Sequence, residues 1–404
     1  MNPINPLLAF AISLIFFAIL LHKRIGLGFS LVSAALLLGI LSLDPLTIPS
    51  VMAETTLQPI TLTLVFATFG IMLLSQLYKE TGLINDLNKT LSAILKSPRL
   101  ILSVIPAIIG LMPVPGGALM SAPLVEAEAK KLEMDRAKKT YVNLWFRHTI
   151  FPLYPVSQIL ILTAALTNNS ILTLIFRQIP MVSAMLIIGY IIGLRNVKRK
   201  NGEKEIMDSA SSLDNFKSFL CSFSPILTTI ILVAVFGLNV AIAAFIGIFV
   251  LALISKLTFS SLANCLKNKS LYEVALAAYG ALFFRDITIK SGASEFLGLI
   301  ISSGNVNEFI LLIIVPMMLA FALGSPSGGI AISVPILAET VIFTPKNAGL
   351  LYSSAYLGYL GAPTHLCLVL TANYFNCQLN KLYKYVVPSL IFSFISVSLT
   401  YFVI

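Results

Sequence analysis

Met112-Pro113-Val114-Pro115-Gly116-Gly117-Ala118 and Gly324-Ser325-Pro326-Ser327-Gly328-Gly329-Ile330 are the two stretches that decide how this chain folds. Each lies inside a long apolar run, near 99–125 and near 308–338. Proline removes a ladder N–H and clashes with the preceding turn, while paired glycine lets the backbone reverse tightly and lets a ligand approach it. A continuous helix through either stretch is therefore unfavourable, and each run reads as a re-entrant hairpin. The arm after each turn begins with free N–H groups and the positive end of its dipole at the turn.

The remaining sequence sets the surroundings. Of 404 residues, 57% are apolar and only 11% charged, against about 25% charged in a soluble domain. That excludes a water-soluble, disordered or collagenous chain and leaves an all-α integral membrane protein. Further apolar runs lie near 5–21, 25–43, 57–77, 141–166, 170–194, 219–238, 239–256, 272–290, 350–375 and 385–404. At about 20 apolar residues per span, they predict ten transmembrane crossings beside the two hairpins. The first run lacks a basic start and is followed by His22-Lys23-Arg24, so it reads as a span and not a cleaved signal. With the N- and C-termini both outside, about 22 of the 27 basic residues fall on the cytoplasmic side, as the positive-inside rule expects. The net charge of +10 is thereby assigned to membrane orientation, with no nucleic acid as partner. Cys221, Cys265, Cys367 and Cys377 have no CxxC spacing and read as buried thiols.

The two halves echo each other. Phe69-Gly70, Thr81-Gly82 and Pro106 recur as Tyr279-Gly280, Ser291-Gly292 and Pro316, all 210 residues on. Gly116-Gly117 and Pro123 recur as Gly328-Gly329 and Pro335 at an offset of 212; Pro155 and Leu162-Thr163-Ala164 recur as Pro363 and Leu370-Thr371-Ala372 at 208. A collinear series of this kind marks an internal repeat. Residues 1–194 form repeat 1, the polar stretch 195–217 a cytoplasmic linker, and 218–404 repeat 2. Five crossings per repeat is an odd number, so the second repeat is inserted with inverted topology, the architecture of secondary transporters with a midplane binding site. Stretches 83–97 and 126–139 read as interfacial helices beside the first hairpin or as ordinary loop helices.

Two spans are also interrupted, near 141–166 at Pro152 and Pro155 and near 350–375 at Pro363. The half-helices after Pro155 and Pro363 again start near mid-depth, so four positive helix ends converge as an anion site. Gly116, Gly117, Ser325, Ser327, Gly328, Gly329, Pro155, Ser157, Pro363 and Thr364 are the candidate substrate-binding residues. Ser325 and Ser327 either cap the helix or bind ligand. No Asp or Glu lies in the middle of a run, which argues against a cation exchanger. Arg147 either pairs with an anion or snorkels to the interface; His365, and more weakly His148, either carries a proton or is a satisfied core side chain. Arg285 and Asp286 are read as pointing to different helix faces. Motifs of metalloproteases, serine hydrolases and P-loop enzymes are missing, so neither catalysis nor a metal or other cofactor is expected.

At the tips and broken spans the chain resembles the ion transporter superfamily of gluconate permeases, citrate carriers and sodium/dicarboxylate symporters. It is most similar to the prokaryotic membrane family called domain of unknown function 401. The resemblance implies a homodimer in the prokaryotic inner or plasma membrane, with an elevator-type motion of the part that carries the tips. By position it implies that Gly116, Gly117, Ser327, Gly328, Gly329, Thr364 and His365 line the substrate site. The symporters carry Ser-Asn-Thr triplets at the tips, where this chain has Pro115-Gly116-Gly117 and Ser327-Gly328-Gly329. Gluconate permeases, with proton coupling, are the nearer analogy. The function expected is secondary active transport of a small carboxylate-type anion, coupled to protons. The alternatives are a sodium-coupled symporter, a passive anion channel, or a non-transporting membrane anchor subunit.

Overall fold

The computed structural model describes residues 4–95, 97–112, 117–195, 197, 212–255, 257–304 and 306–403, and all its regular structure is helical. The first half runs α1 (Pro6–His22), α2 (Leu27–Ser42), α3 (Thr47–Leu57), α4 (Pro59–Glu80), α5 (Leu83–Ile94), α6 (Pro98–Gly110), α7 (Ala118–Lys131), α8 (Arg136–Thr149), α9 (Gln158–Thr167) and α10 (Ile171–Gly189). A short 3-10 turn (Phe151–Leu153) sits between α8 and α9, and α10 ends in a π-helical turn (Tyr190–Leu194). The second half runs α11 (Ser212–Ala234), α12 (Val240–Ile254), α13 (Phe259–Leu266), α14 (Lys269–Lys290), α15 (Ala293–Ser303), α16 (Glu308–Leu323), α17 (Pro326–Leu337), α18 (Pro345–Gly361), α19 (Leu366–Tyr374) and α20 (Leu379–Val403).

Local chemistry sets many of the boundaries. Asn5, Asp135, Ser170, Asn239, Thr258, Asn268, Asn307, Ser325 and Thr344 each accept a hydrogen bond from a first-turn N–H of the helix they precede. Gly82 (φ 77°) and Gly292 (φ 75°) occupy left-handed backbone, which turns α4 into α5 and α14 into α15 in the same way.

Packing gathers the helices into two groups. In one, α2 packs on α14, α12 on α4, α11 on α5 and on α12, and α4 on α14. In the other, α6 packs on α7 and α8, α16 on α17 and α18, and α10 and α20 on each other and on the broken segments. α6 and α7 pack on each other, as do α16 and α17, so each expected hairpin has two packed arms. The first tip, 113–116, with the candidate Gly116, lies outside the described residues, as does most of the linker.

Several helices are apolar enough for a membrane protein. α4, α11, α20 and the Ile171–Leu194 helix are long and apolar enough to cross a bilayer, and the bent pair α8–α9 makes a fifth if it is counted as one span. α1, α2, α6, α12, α15, α16 and α17 are apolar but shorter. Ten crossings therefore require some of these shorter helices to span as well. Large apolar side chains such as Phe66, Phe249, Leu253, Ile395 and Phe402 lie on the outer surface.

Three expectations need correction. Residues 83–94 do form a helix, but 126–139 is not one: it is the end of α7 and the start of α8, parted by Glu133 in left-handed backbone (φ 51°). Arg285 and Asp286 do not diverge; their side chains pair at 2.7 Å and share Gln58 of the α3–α4 junction, with Thr55 donating to Asp286. Long side chains on adjacent residues can bend toward each other when a polar partner sits between them. Of the four cysteines only Cys265 is buried; Cys221 is exposed and Cys367 and Cys377 are intermediate.

Gly358 permits the closest approach of α18 to α16. A Cβ there would fall onto the Met317 carbonyl oxygen and lie 2.9 Å from the Met317 Cα. Backbone cannot step aside, so Gly358→Ala is expected to destabilise the detergent-purified protein by about 1–3 kcal/mol. Gly304→Ala, whose Cβ would meet its nearest atom at 3.5 Å, is expected to melt like the wild type in the same thermal scan.

Candidate functional site

The helix is interrupted at both predicted places, between α8 and α9, where the bend is 40°, and between α18 and α19. α9 starts at Gln158, after the N-cap position Ser157, and α19 starts at Leu366, after His365. Prolines 152, 155 and 363 lie within the breaks and remove the N–H groups that a continuous ladder needs.

The four helix starts pair off. α9 packs against α17 of the second hairpin, and α19 packs against α7 of the first. A cavity of about 210 Å³ lies where α9 and α17 meet α2, α4 and α14 of the other group. Ser325, Ser327, Gln158, Thr68 and Glu273 supply its polar side chains, and Leu27, Leu31, Leu64, Leu162 and Val274 part of its apolar wall. Ser325 caps α17 by accepting from the Gly328 N–H (3.2 Å). Thr68 donates to the Leu64 carbonyl (2.9 Å). Gln158 Nε2 and Ser157 Oγ are buried without a hydrogen-bond partner. Gly328 and Gly329 are buried in the first turn of α17, where Gly329 abuts Ala320 of the other arm. Pro155 is buried in the first break.

Glu273 is the residue that the sequence reading passed over. It lies one turn into α14, near a run's end, and looked like a boundary residue. In the fold its Oε1 accepts from the Gly28 N–H at 2.7 Å, over the α1–α2 turn, and the carboxylate faces the cavity. Among the described lining residues it is the only titratable group. A carboxylate at the edge of an apolar run was the one available signal; its partner Gly28 lies 245 residues away in sequence.

Arg147, His148, Pro363, Thr364 and His365 do not line that cavity. Arg147, His148 and His365 form a second, drier cluster between α8 and the α18–α19 break, while Pro363 and Thr364 of that break are exposed. Arg147 is 5% exposed, so it does not snorkel; one guanidinium nitrogen reaches the Met112 carbonyl beside the first tip (3.4 Å) and Nη1 has no partner. The His148 and His365 rings meet edge to face at 4.8 Å, and Tyr359 lies over His365 at 3.9 Å. His148 Nδ1 bonds the Leu144 carbonyl at 2.8 Å. Neither ring nitrogen of His365 completes a hydrogen bond; the Leu360 carbonyl is near but outside hydrogen-bonding geometry. Cys367 is the second residue of α19, and its sulfur and the two imidazoles hold donor atoms within 4.8 Å of one another. Thr364 leans on Gly324 at the second tip. Gly117, the N-cap position of α7, is buried near Asn143, whose Nδ2 donates to the Ala118 carbonyl (3.0 Å) and whose Oδ1 accepts from Ser121 (2.7 Å).

Tyr356 ties the clusters to the frame: its hydroxyl donates to the His148 carbonyl at the end of α8 (2.7 Å). Tyr356→Phe strands that buried acceptor and is expected to cost about 1–3 kcal/mol, read as a lower melting temperature. Tyr190→Phe, on an exposed ring, is expected to leave the melting temperature unchanged.

The chain is matched over residues 5–404 by the family model described as "Protein of unknown function (DUF401)". The chain belongs to that family. No curated protein matches it significantly.

Proposed function

We propose that this protein is a proton-coupled secondary transporter of a small organic anion, and that the cavity between α9, α17, α2, α4 and α14 is its binding site. The cavity is the observation that carries the reading. It sits where the second tip and the start of a broken helix meet. Its volume of about 210 Å³ is below the ~300 Å³ typical of drug-sized pockets, as suits a molecule of few heavy atoms. The first-turn N–H groups of α17 and α9, the Ser327 hydroxyl and Gln158 Nε2 are donors for a carboxylate. No Lys, Arg or His lines the described wall.

Proton coupling follows from Glu273. A substrate carboxylate and an ionised Glu273 in one poorly solvated cavity repel each other. A proton taken up on Glu273 with the anion removes that repulsion, so the two bind together. This places coupling on Glu273 and not on His365, which stands outside the cavity.

Inverted repeats support transport over a passive pore or an anchor. Helices recur in the order long, short, hairpin, broken in both halves. Exchanging the halves turns α2 on α14 into α12 on α4, α1 on α15 into α11 on α5, and α9 on α17 into α19 on α7. With an odd number of crossings per half, such an exchange corresponds to an axis in the membrane plane. At the junction of the two groups the exchange is imperfect. α14 packs on α17 and α4 on α9, without matching extensive packing of α4 on α7 or α14 on α19. One end position of an elevator has that asymmetry, with α1–α5 and α11–α15 as scaffold and the remaining helices as the moving part. Scaffold helices of two copies then face each other in a homodimer in the cell membrane. The cavity lies toward the Lys267, Lys269 and Arg24 end, the cytoplasmic face by the charge rule.

Proteoliposome uptake of labelled lactate, gluconate and succinate tests the reading. Saturable uptake that responds to an imposed pH gradient, with counterflow, is expected for at least one of them. Glu273→Gln keeps an acceptor for the Gly28 N–H and is expected to retain counterflow while losing the response to the pH gradient. Ser327→Ala is expected to weaken the apparent affinity about tenfold or more, the loss of one hydrogen bond to a charged group. Uptake driven by sodium in place of protons reassigns the coupling ion. Unsaturable flux supports a channel, and no flux across the panel from monodisperse protein rejects transport of these anions.

A further inference from the structure

We propose that His148, His365 and Cys367 form a binding site for a thiophilic transition-metal ion, of which Zn²⁺ suits the donor set best. Nothing in the proposed transport reaction requires it.

Two imidazoles and one thiol hold their donor atoms within 4.8 Å of one another. Tetrahedral zinc at its ordinary bond lengths places such donors roughly 3.3–3.7 Å apart. The widest pair must therefore contract by about 1.1–1.5 Å, a distance within reach of side-chain rotation of the two rings and of Cys367. His148 Nδ1 faces the Leu144 carbonyl at 2.8 Å. A carbonyl only accepts, so Nδ1 carries the hydrogen and Nε2 keeps its lone pair for a metal. Metal-binding histidines are commonly held this way, the other ring nitrogen donating to a backbone carbonyl. His365 is fully buried, and neither of its ring nitrogens completes a hydrogen bond. A buried imidazole without partners forgoes its solvation for no return, and a metal ion resolves that deficit.

Mixed nitrogen and sulfur donors select zinc and copper over magnesium or calcium, which take oxygen. Three protein ligands leave a fourth position open. The Arg147 guanidinium is adjacent and opposes a cation. Cys367 binding as thiolate offsets part of that charge, and Arg147 favours an anion or hydroxide in the open position. The metal, once bound, ties α8 of the first half to the break between α18 and α19 in the second. No single run of sequence contains the site: His148 and His365 lie 217 residues apart.

Co²⁺ is the probe, used on the full-length protein purified in detergent and stripped with a chelator. One equivalent of Co²⁺ is expected to produce visible bands of tetrahedral cobalt and a near-ultraviolet thiolate-to-cobalt band, both erased by one equivalent of Zn²⁺. Cys367→Ser is expected to remove the near-ultraviolet band, and His365→Ala to weaken Co²⁺ binding at least about tenfold. A variant with Cys221, Cys265 and Cys377 all changed to Ser keeps the signal, which assigns the sulfur. Thermal scans without metal check that each variant is folded. The proposal is overturned if the wild type gives only the weak spectrum of octahedral cobalt, or if folded Cys367→Ser retains the thiolate band.

Discussion

Everything in this fold depends on how the interior satisfies the backbone where its helices break. An interrupted helix exposes N–H and C=O groups, and in a dry interior each one left unpaired costs on the order of a few kcal/mol. Here the repairs come from side chains on other elements. Asn143 of α8 holds the Ala118 carbonyl, and Arg147 reaches the Met112 carbonyl, so α8 secures the first tip. Tyr356 of α18 holds the His148 carbonyl, and Tyr383 of α20 holds the Gly361 carbonyl (3.0 Å) at the end of α18. Ser325 closes the second tip from within.

These repairs explain why so many polar side chains of the broken spans are buried: Asn143, Arg147, His148, Thr149, Ser157, Ser353, Ser354 and His365 are all nearly inaccessible. Some repair the backbone and others do not. Thr149 bonds the Trp145 carbonyl of its own helix, and Ser353 bonds Gln178 of α10. Ser157, Gln158 Nε2, Arg147 Nη1 and His365 are left over. Buried polar groups without partners are the exception in folded proteins; these lie at the two breaks, while others, such as Ser30 Oγ, Thr61 Oγ1 and Ser294 Oγ, lie in other parts of the fold.

The two polar regions differ in kind. The cavity beside α9 and α17 has room for a solute, is lined by hydroxyl and amide groups and holds one carboxylate, Glu273. The cluster at Arg147, His148, His365 and Cys367 is tightly packed, with aromatic rings against the imidazoles. In the proposed transport reaction, the first supplies a site at the junction of two helix groups that can move relative to each other. The second lies within one group, where packing holds its members together.

Much of this was legible in the chain itself. The proline and glycine clusters at 113–117 and 324–329 mark the two interruptions through local properties of those residues, although at the second tip the reversal falls at Gly324 (φ 59°) and Ser325 while Gly328 and Gly329 are already helical. Prolines 155 and 363 act the same way, and the cap residues Asp135, Asn307 and Ser325 mark where helices begin through bonds only a few residues long. The collinear offsets near 210 residues likewise lie in the sequence alone. Only the tertiary structure decided which helix starts meet, that Arg147 turns inward to a tip carbonyl, that Glu273 faces a cavity, and that His148 and Cys367 become neighbours. Those outcomes depend on packing between segments some 200 residues apart, where a local pattern records what a residue is but not what it will touch.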